Sequence, residues 1–250
     1  MPSIFELMRH ALKRLINGTL SPLGFEIQRI REMADPFSVQ SHLIKKKNPT
    51  IFDVGANVGD VSAVYQRLFP SCKIHAFEPF PESFRKLKER FGHNFATKIN
   101  EVAVSDAEGI TSLSANLSSA TNSILKTDPV GSQFWGQGLL DTSSFVQVPT
   151  TTIDAYCEAN SISTIDILKL DIQGAELKAL RGAQTMLKNQ RVELIYMEMI
   201  FAPTYLDQPH LEDYLNFFRQ TGYVMLDLFN PARKDLRLLQ SDIIFIRKPN

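Results

Sequence analysis

Asp53-Val54-Gly55-Ala56-Asn57-Val58-Gly59 is the stretch on which the architecture turns. It follows the apolar, β-prone run Thr50–Val54 and opens the helical pattern Val58–Leu68, which Pro70 stops. A strand therefore passes into a helix through a glycine-bearing turn. The same alternation continues downstream. Lys73–Glu78 reads as a strand and Pro81–Phe91 as a helix ended by Gly92, with a third strand over Lys98–Val104. Ile110–Ala115 and Phe145–Val148 read as further strands, and Thr152–Ala159 as a short helix. Ile165–Leu170 is a near-continuous apolar strand, followed by a helix over Ala175–Leu187 and a strand over Val192–Met199. Helix Leu211–Arg219, ended by Gly222, leads to strands Tyr223–Phe229 and Asp242–Arg247. Strands joined by helices require right-handed crossovers, so the expected class is α/β with a doubly wound, mostly parallel sheet covered on both faces. The last two strands lack a helix between them and are expected to pair antiparallel at one edge.

Composition narrows the function classes. The 250 residues carry 27 Lys+Arg against 27 Asp+Glu, with 44% hydrophobic residues. That hydrophobic share excludes a disordered chain. The absence of a basic surplus argues against a nucleic-acid partner, whose phosphates would need neutralising. With only Cys72 and Cys157, neither a disulfide framework nor a cysteine zinc site can be built, and the five histidines show no metal-ligand spacing. No apolar stretch approaches the ~18 residues of a membrane span, and Met1–Glu6 lacks the pattern of a signal peptide; the expected location is cytoplasmic.

Residues 1–34 read as a helical extension ahead of a domain over 35–250. Ile4, Phe5, Leu7, Met8, Ala11, Leu12, Leu15 and Ile16 fall on one face of a helix over 3–16, with Ser3 and Glu6 as a capping box and Asn17-Gly18 as its stop. Arg9, His10, Lys13 and Arg14 take the other face. Such a helix either packs on the domain behind it, the commoner role, or makes weak contact with an anionic membrane surface.

The glycine turn also limits the ligand. It has no Lys-Ser/Thr, so it is no triphosphate loop, and its Gly-x-Asn-x-Gly spacing misses the dinucleotide fingerprint. Asp53 repels a pyrophosphate and attracts an ammonium or sulfonium. Glu78, about 20 residues beyond the turn at the tip of the next strand, stands where such folds hold ribose hydroxyls. Together these residues point to a cationic ligand bearing a ribose.

Asp53–Gly59, Phe77-Glu78-Pro79, Ala103-Val104-Ser105-Asp106, Leu168–Glu176 and Tyr205-x-x-Gln208-Pro209 together resemble the FkbM family of S-adenosylmethionine-dependent methyltransferases, over roughly residues 35–248. The resemblance implies a Rossmann-like, seven-stranded class I methyltransferase fold with S-adenosylmethionine as cofactor. It implies that Asp53, Gly55, Asn57 and Gly59 surround the methionine part of that cofactor. Glu78, with Pro79 beside it, would hold the ribose, and the Val104–Asp106 turn, with Ser105 and Asp106, would sit near adenine. It also implies O-methylation of a hydroxyl on a sugar, glycan or secondary metabolite, hence a small-molecule or saccharide acceptor. Family members often carry Glu where this chain has Gln173, which weakens an acid–base role there and leaves Gln173 as a candidate for binding substrate.

The reacting end is read from the later strands. Asp171 ends the strand Ile165–Leu170 and is expected to face the crevice near the transferable methyl; its alternative role is to cap the next helix. Glu176 suits the first helical turn, where a negative charge complements the dipole. Asp171, Glu198 and His210, in that order, are the candidates for removing a proton from an acceptor alcohol. A lone loop histidine is, however, more often simply solvated. Tyr205 and Gln208, on the loop 203–210, are candidate walls of the acceptor site. The Ser/Thr/Gly-rich segment Ser112–Ser144, with the only tryptophan, Trp135, is either a lid over the cleft or a variable surface loop. Two rival functions remain at this level: a nicotinamide-dependent oxidoreductase, and a non-catalytic methyltransferase-like binding domain.

Overall fold

Thr50–Val54 forms β1, buried along nearly its whole length because strands flank it on both sides and helices cover both faces. The computed structural model describes residues 35–136 and 138–248; the expected helix over 3–16 and the 1–34 extension lie outside them. The other strands of the main sheet are β2 (Lys73–Phe77), β3 (Thr97–Asn100), β7 (Ile165–Leu170), β8 (Val192–Ile200), β9 (Tyr223–Lys234) and β10 (Arg237–Arg247). They stand in the order β3-β2-β1-β7-β8-β10-β9. The first five positions are parallel, while β10 runs antiparallel to both β8 and β9. The expected doubly wound, seven-stranded sheet with antiparallel pairing at one edge is therefore present.

Helices α1 (Pro36–Leu43), α2 (Asp60–Leu68) and α3 (Pro81–Phe91) cover one face, packing Val39, Tyr65, Leu87 and Phe91 on Ile51, Ile74, Ile167 and Leu194. The next helix along the chain is the short α4 (Ser132–Trp135). On the other face α5 (Ile153–Ala159), α6 (Glu176–Arg181), α7 (Gln184–Lys188) and α8 (Leu211–Thr221) pack Tyr156, Leu180, Leu187 and Phe218 on Phe52, Phe77, Leu168 and Phe245. Alternate strand residues feed opposite cores, as a period of two requires. Among the described residues no helix is long and apolar enough to cross a membrane.

The strands expected over Phe145–Val148, Tyr223–Phe229 and Asp242–Arg247 run longer, over Thr142–Thr151, Tyr223–Lys234 and Arg237–Arg247, and two other expected elements are divided. The strand expected over Lys98–Val104 is two: β3 pairs with β2, and the chain then leaves the sheet so that β4 (Ala103–Val104) pairs with β6 (Thr142–Thr151). With β5 (Gly109–Asn116), these make a separate three-stranded sheet. The helix expected over Ala175–Leu187 breaks at Gly182, where a Cβ would overlap the Ser105 carbonyl oxygen. The Asp154 N–H donates to Gly182 O, and the Asp154 carboxylate accepts from the N–H groups of Thr185 and Met186 (2.7 and 3.0 Å), starting α7 anew.

Candidate active site

Register brings the site together. Val54 pairs with Phe77 on one side and Leu170 on the other, so the next residues, Gly55, Glu78 and Asp171, stand level at the carboxyl edge. Open α/β sheets bind ligands at that edge. Leu170 pairs with Met197, and Glu198 with Asp242. Asp171, Glu198 and Asp242 therefore make a row of carboxylates across β7, β8 and β10.

The turn after β1 is held from below and from the side. Gly55 has φ +76°, and a Cβ there would overlap the Asp171 carbonyl oxygen, so glycine is demanded by both conformation and space. Asn57 also takes a positive φ, +46°. Beneath the turn the buried Lys169 Nζ donates to Gly55 O (2.7 Å) and Val54 O (3.2 Å) and pairs with Asp53 Oδ1 (3.0 Å). Ser62 donates to the other Asp53 oxygen (2.6 Å). Burial disfavours the Lys169 charge, yet Asp53 and Asp171 outweigh it and raise the lysine above its ordinary value. At the side, Glu78 accepts from the N–H of Asn57 (2.8 Å) and of Phe80 (2.9 Å). This ties the glycine turn to the start of α3. Burial raises the Glu78 carboxyl, against the pull of those two N–H groups.

Among the described residues three cavities open on this edge, the third lined by Asp171, Glu198, Asn230, Gln240 and Asp242. The first is lined by Gly55, Asn57, Glu78 and Asp171 at the strand ends and by an apolar slot of Phe77, Val102, Val104 and Ile124. The second, about 270 Å³, is walled by Trp135, Leu140, Ile200 and Tyr205 and floored by Glu198 and Gln240. The first two share Ala120, Asp171 and Gln173. The segment between β5 and β6 is neither stray nor detached. It lines the first cavity with Ser119, Ala120 and Asn122–Ile124 and the second with Thr121, Trp135 and Leu140, and it is anchored where Trp135 Nε1 donates to Thr204 Oγ1 (2.7 Å).

The shared wall is hydrogen-bonded throughout. Gln173 Nε2 donates to Asp171 Oδ1 (2.9 Å) and Glu198 Oε2 (2.7 Å), and Gln240 Nε2 donates to Glu198 Oε1 (2.9 Å). Burial, followed by the charges of Asp171, Glu176 and Asp242, raises Glu198 well above the ordinary carboxyl range. Glu176 is only 1% exposed; its Oε1 accepts from the Ile172 and Gly174 N–H groups and so clamps the turn that carries Gln173.

Burial pushes Glu176 up to about 7, above its value in the unfolded chain. The folded state thus binds the extra proton at low pH, and this stabilisation fades as pH rises through about 7. Glu176→Gln, which keeps the accepting oxygen and cannot ionise, is expected to gain on the native protein by about 3 kcal/mol between about pH 5 and pH 8. Parallel urea titrations at the two pH values check this; equal differences at both would refute it.

Of the residues named from sequence, Gly55, Asn57, Glu78, Pro79, Asp171 and Gln173 line the first cavity, and Asp171, Gln173, Glu198 and Tyr205 the second. The others stand elsewhere. Asp53 is fully buried under the turn and neutralised by Lys169, and Gly59 packs on Leu87 and Phe91 as the αL start of α2. Of the turn Val104–Asp106, Val104 lines the first cavity with Val102 and Ala103, while Ser105 and Asp106 are outside that lining, Asp106 lying 4.0 Å from Lys178. Gln208 spends both ends of its amide on its own loop, accepting from Thr204 and Tyr205 N–H and donating to Ile200 and Ala202 carbonyls. His210 is exposed at the start of α8 and lines none of the cavities described. Sequence reasoning missed Lys169, although a lone cation in a strand buried on both faces must find an opposite charge. It also missed Gln240, which carries no local signal.

The Methyltransferase FkbM domain profile matches residues 53–225. The 2-O-methyltransferase NoeI of Sinorhizobium fredii is 28% identical over 187 residues, 68% of this chain and 75% of that protein. The 31-O-demethyl-FK506 methyltransferase FkbM of Streptomyces tacrolimicus is 26% identical over 153 residues, 54% of this chain and 59% of that protein. The hexuronic acid methyltransferase AglP of Haloferax volcanii is 23% identical over 176 residues, 70% of this chain and 66% of that protein. The crystal structure of a methyltransferase FkbM from Methylobacillus flagellatus matches with a TM-score of 0.53 at 17% identity, over 84% of this chain and 48% of that one. This chain thus spans about half of that crystallised one, and the likeness is one of fold.

Proposed function

Since the chain belongs to the FkbM methyltransferase family, we propose that it transfers the methyl group of S-adenosylmethionine to a hydroxyl of a sugar, glycan or secondary metabolite. The observation that carries this reading is the pair of cavities meeting at Asp171 and Gln173, one suited to the donor and the other to the acceptor. Three relatives whose names specify methyl transfer to an oxygen or a hexuronic acid support the acceptor class.

The residues of the first cavity fit the cofactor. Glu78 keeps lone pairs free for vicinal ribose hydroxyls after accepting two backbone N–H groups. The slot of Phe77, Val102, Val104 and Ile124 suits a flat base, and Asn57 Oδ1 is buried with no hydrogen-bond partner among the described residues. When bound, the cofactor supplies an electrophilic methyl on sulfur. The remaining work belongs to the chain. Holding two reactants in line contributes about 7–11 kcal/mol, whereas a general base contributes about 3–5 kcal/mol. The mostly apolar second cavity orients and dries the acceptor, and Asp171 at the shared wall takes its proton.

Calorimetry with S-adenosylhomocysteine and incubation with radiolabelled S-adenosylmethionine and fractionated cell extract test the reading. Failure to bind the first and a nicotinamide signal on titration with NADH would replace it with an oxidoreductase. Binding without label transfer to any fraction would favour a non-catalytic domain. Asp171→Asn is expected to lower turnover by about 10²-fold while S-adenosylhomocysteine affinity stays within a few-fold of the native value. Unchanged turnover would remove Asp171 from the chemistry.

A further inference from the structure

Gln173 occupies an unusual place. Its backbone takes a left-handed φ of +56°, which a non-glycine residue adopts at a cost and keeps only when its surroundings hold it. Here they do: Ser123 Oγ donates to its carbonyl (2.7 Å), and the Tyr205 hydroxyl, shared with Thr121 O, lies 3.1 Å from its side-chain oxygen. With the amide oxygen facing a hydroxyl, the amide nitrogen turns both hydrogens to carboxylates, Asp171 and Glu198. Glu198 thereby has an amide donor on each oxygen, from Gln173 and Gln240. Asp171 has one on Oδ1 only; its Oδ2 has Lys169 Nζ at 3.8 Å, and the side chain is 40% exposed.

We propose that Gln173 is a positioning residue whose amide joins Asp171 and Glu198 into one hydrogen-bonded unit and leaves Asp171 Oδ2 as the atom that receives the acceptor's proton. This rests on the methyltransferase reading above. In the transfer the acceptor O–H bond breaks and its proton passes to Asp171 Oδ2. The oxygen forms its new bond to the methyl carbon as the carbon–sulfur pair returns to sulfur. The charged groups around the unit are Lys169 on β7 with Asp53 of β1 behind it, Glu176 on α6, and Asp242 on β10; Tyr196 and Tyr205 are the neighbouring hydroxyls. Among the described residues Lys169 is the one cation beside the unit, so the amide hydrogens are a principal reason that two carboxylates tolerate each other here.

The test is a pH titration of the protein labelled with ¹³C at the Asp and Glu carboxyls, followed by NMR, with Glu198→Gln and Asp171→Asn used to assign the signals. Gln173→Leu removes both donors and is expected to raise the Glu198 midpoint by about one pH unit. Gln173→Glu, which adds a third carboxylate, raises it further. Tyr205→Phe, a smaller change that frees the amide, shifts it the same way by less, and it decides alone should Gln173→Leu not fold. A midpoint within about 0.3 unit of the native one in a folded variant would overturn the proposal, because a merely structural Gln173 would change stability and leave the titration in place. The titration needs neither cofactor nor acceptor. An unmoved midpoint with intact S-adenosylhomocysteine binding therefore defeats the inference alone, and the shift without such binding defeats the reading it rests on.

Discussion

Lys169→Met is expected to destabilise the protein by about 3–5 kcal/mol, the usual consequence of removing one partner of a buried ion pair. The loss has identifiable parts. Asp53, fully buried, keeps among the described residues only the Ser62 hydroxyl as a side-chain hydrogen-bond partner, and the carbonyls of Val54 and Gly55 lose their Lys169 donor. The favourable burial of the methionine side chain offsets little of this, since leaving a charge unpaired in the interior costs more than the added apolar contact gains. Asp53→Asn combined with Lys169→Met removes the orphaned charge and is expected to recover more than half of the loss. Urea unfolding with an unchanged m-value measures both. A single-variant loss below about 1 kcal/mol would show that the pair does not hold the turn.

Glu78→Ala is expected to weaken S-adenosylhomocysteine binding by about 10²–10³-fold in calorimetry. Two effects act together. The variant loses the acceptor for ribose hydroxyls, and it unties the Asn57 N–H from the Phe80 N–H, which share this carboxylate across two loops. Glu78→Gln separates them: one oxygen remains to accept, so the loops stay partly joined while the charge is gone, and the loss is expected to be intermediate. Native-like affinity in Glu78→Ala would mean that the ribose lies elsewhere and that the slot lined by Val102 and Val104 holds something else.

The first strand, the strand Ile165–Leu170 and the helix Pro81–Phe91 are legible in the sequence to the residue. Their signals are local: a β-prone run bounded by glycine, a proline in the first helical turn, a glycine at the end. Glu78 is legible for the same reason, since a strand end and a distance along the chain define it. Lys169 is half legible, as its burial follows from the apolar strand around it but its partner does not. Gln208 and His210 stand apart from the cavities because a loop's sequence does not say which polar groups it will spend on its own backbone. The Ala175–Leu187 helix reads as continuous in the sequence because its break depends on Asp154, a residue on another helix.

Strand and helix order, the glycine turn with its acid-first pattern, and the family to which the chain belongs are all written in neighbouring residues, because backbone conformation and amphipathic period are short-range properties. The joining of Asp171, Gln173, Glu198 and Gln240 into one strip, and the pairing of Asp53 with Lys169, come from strand register and layer packing. Hydrogen bonds and desolvation act over a few ångströms, and only the folded sheet brings residues so distant along the chain within that range.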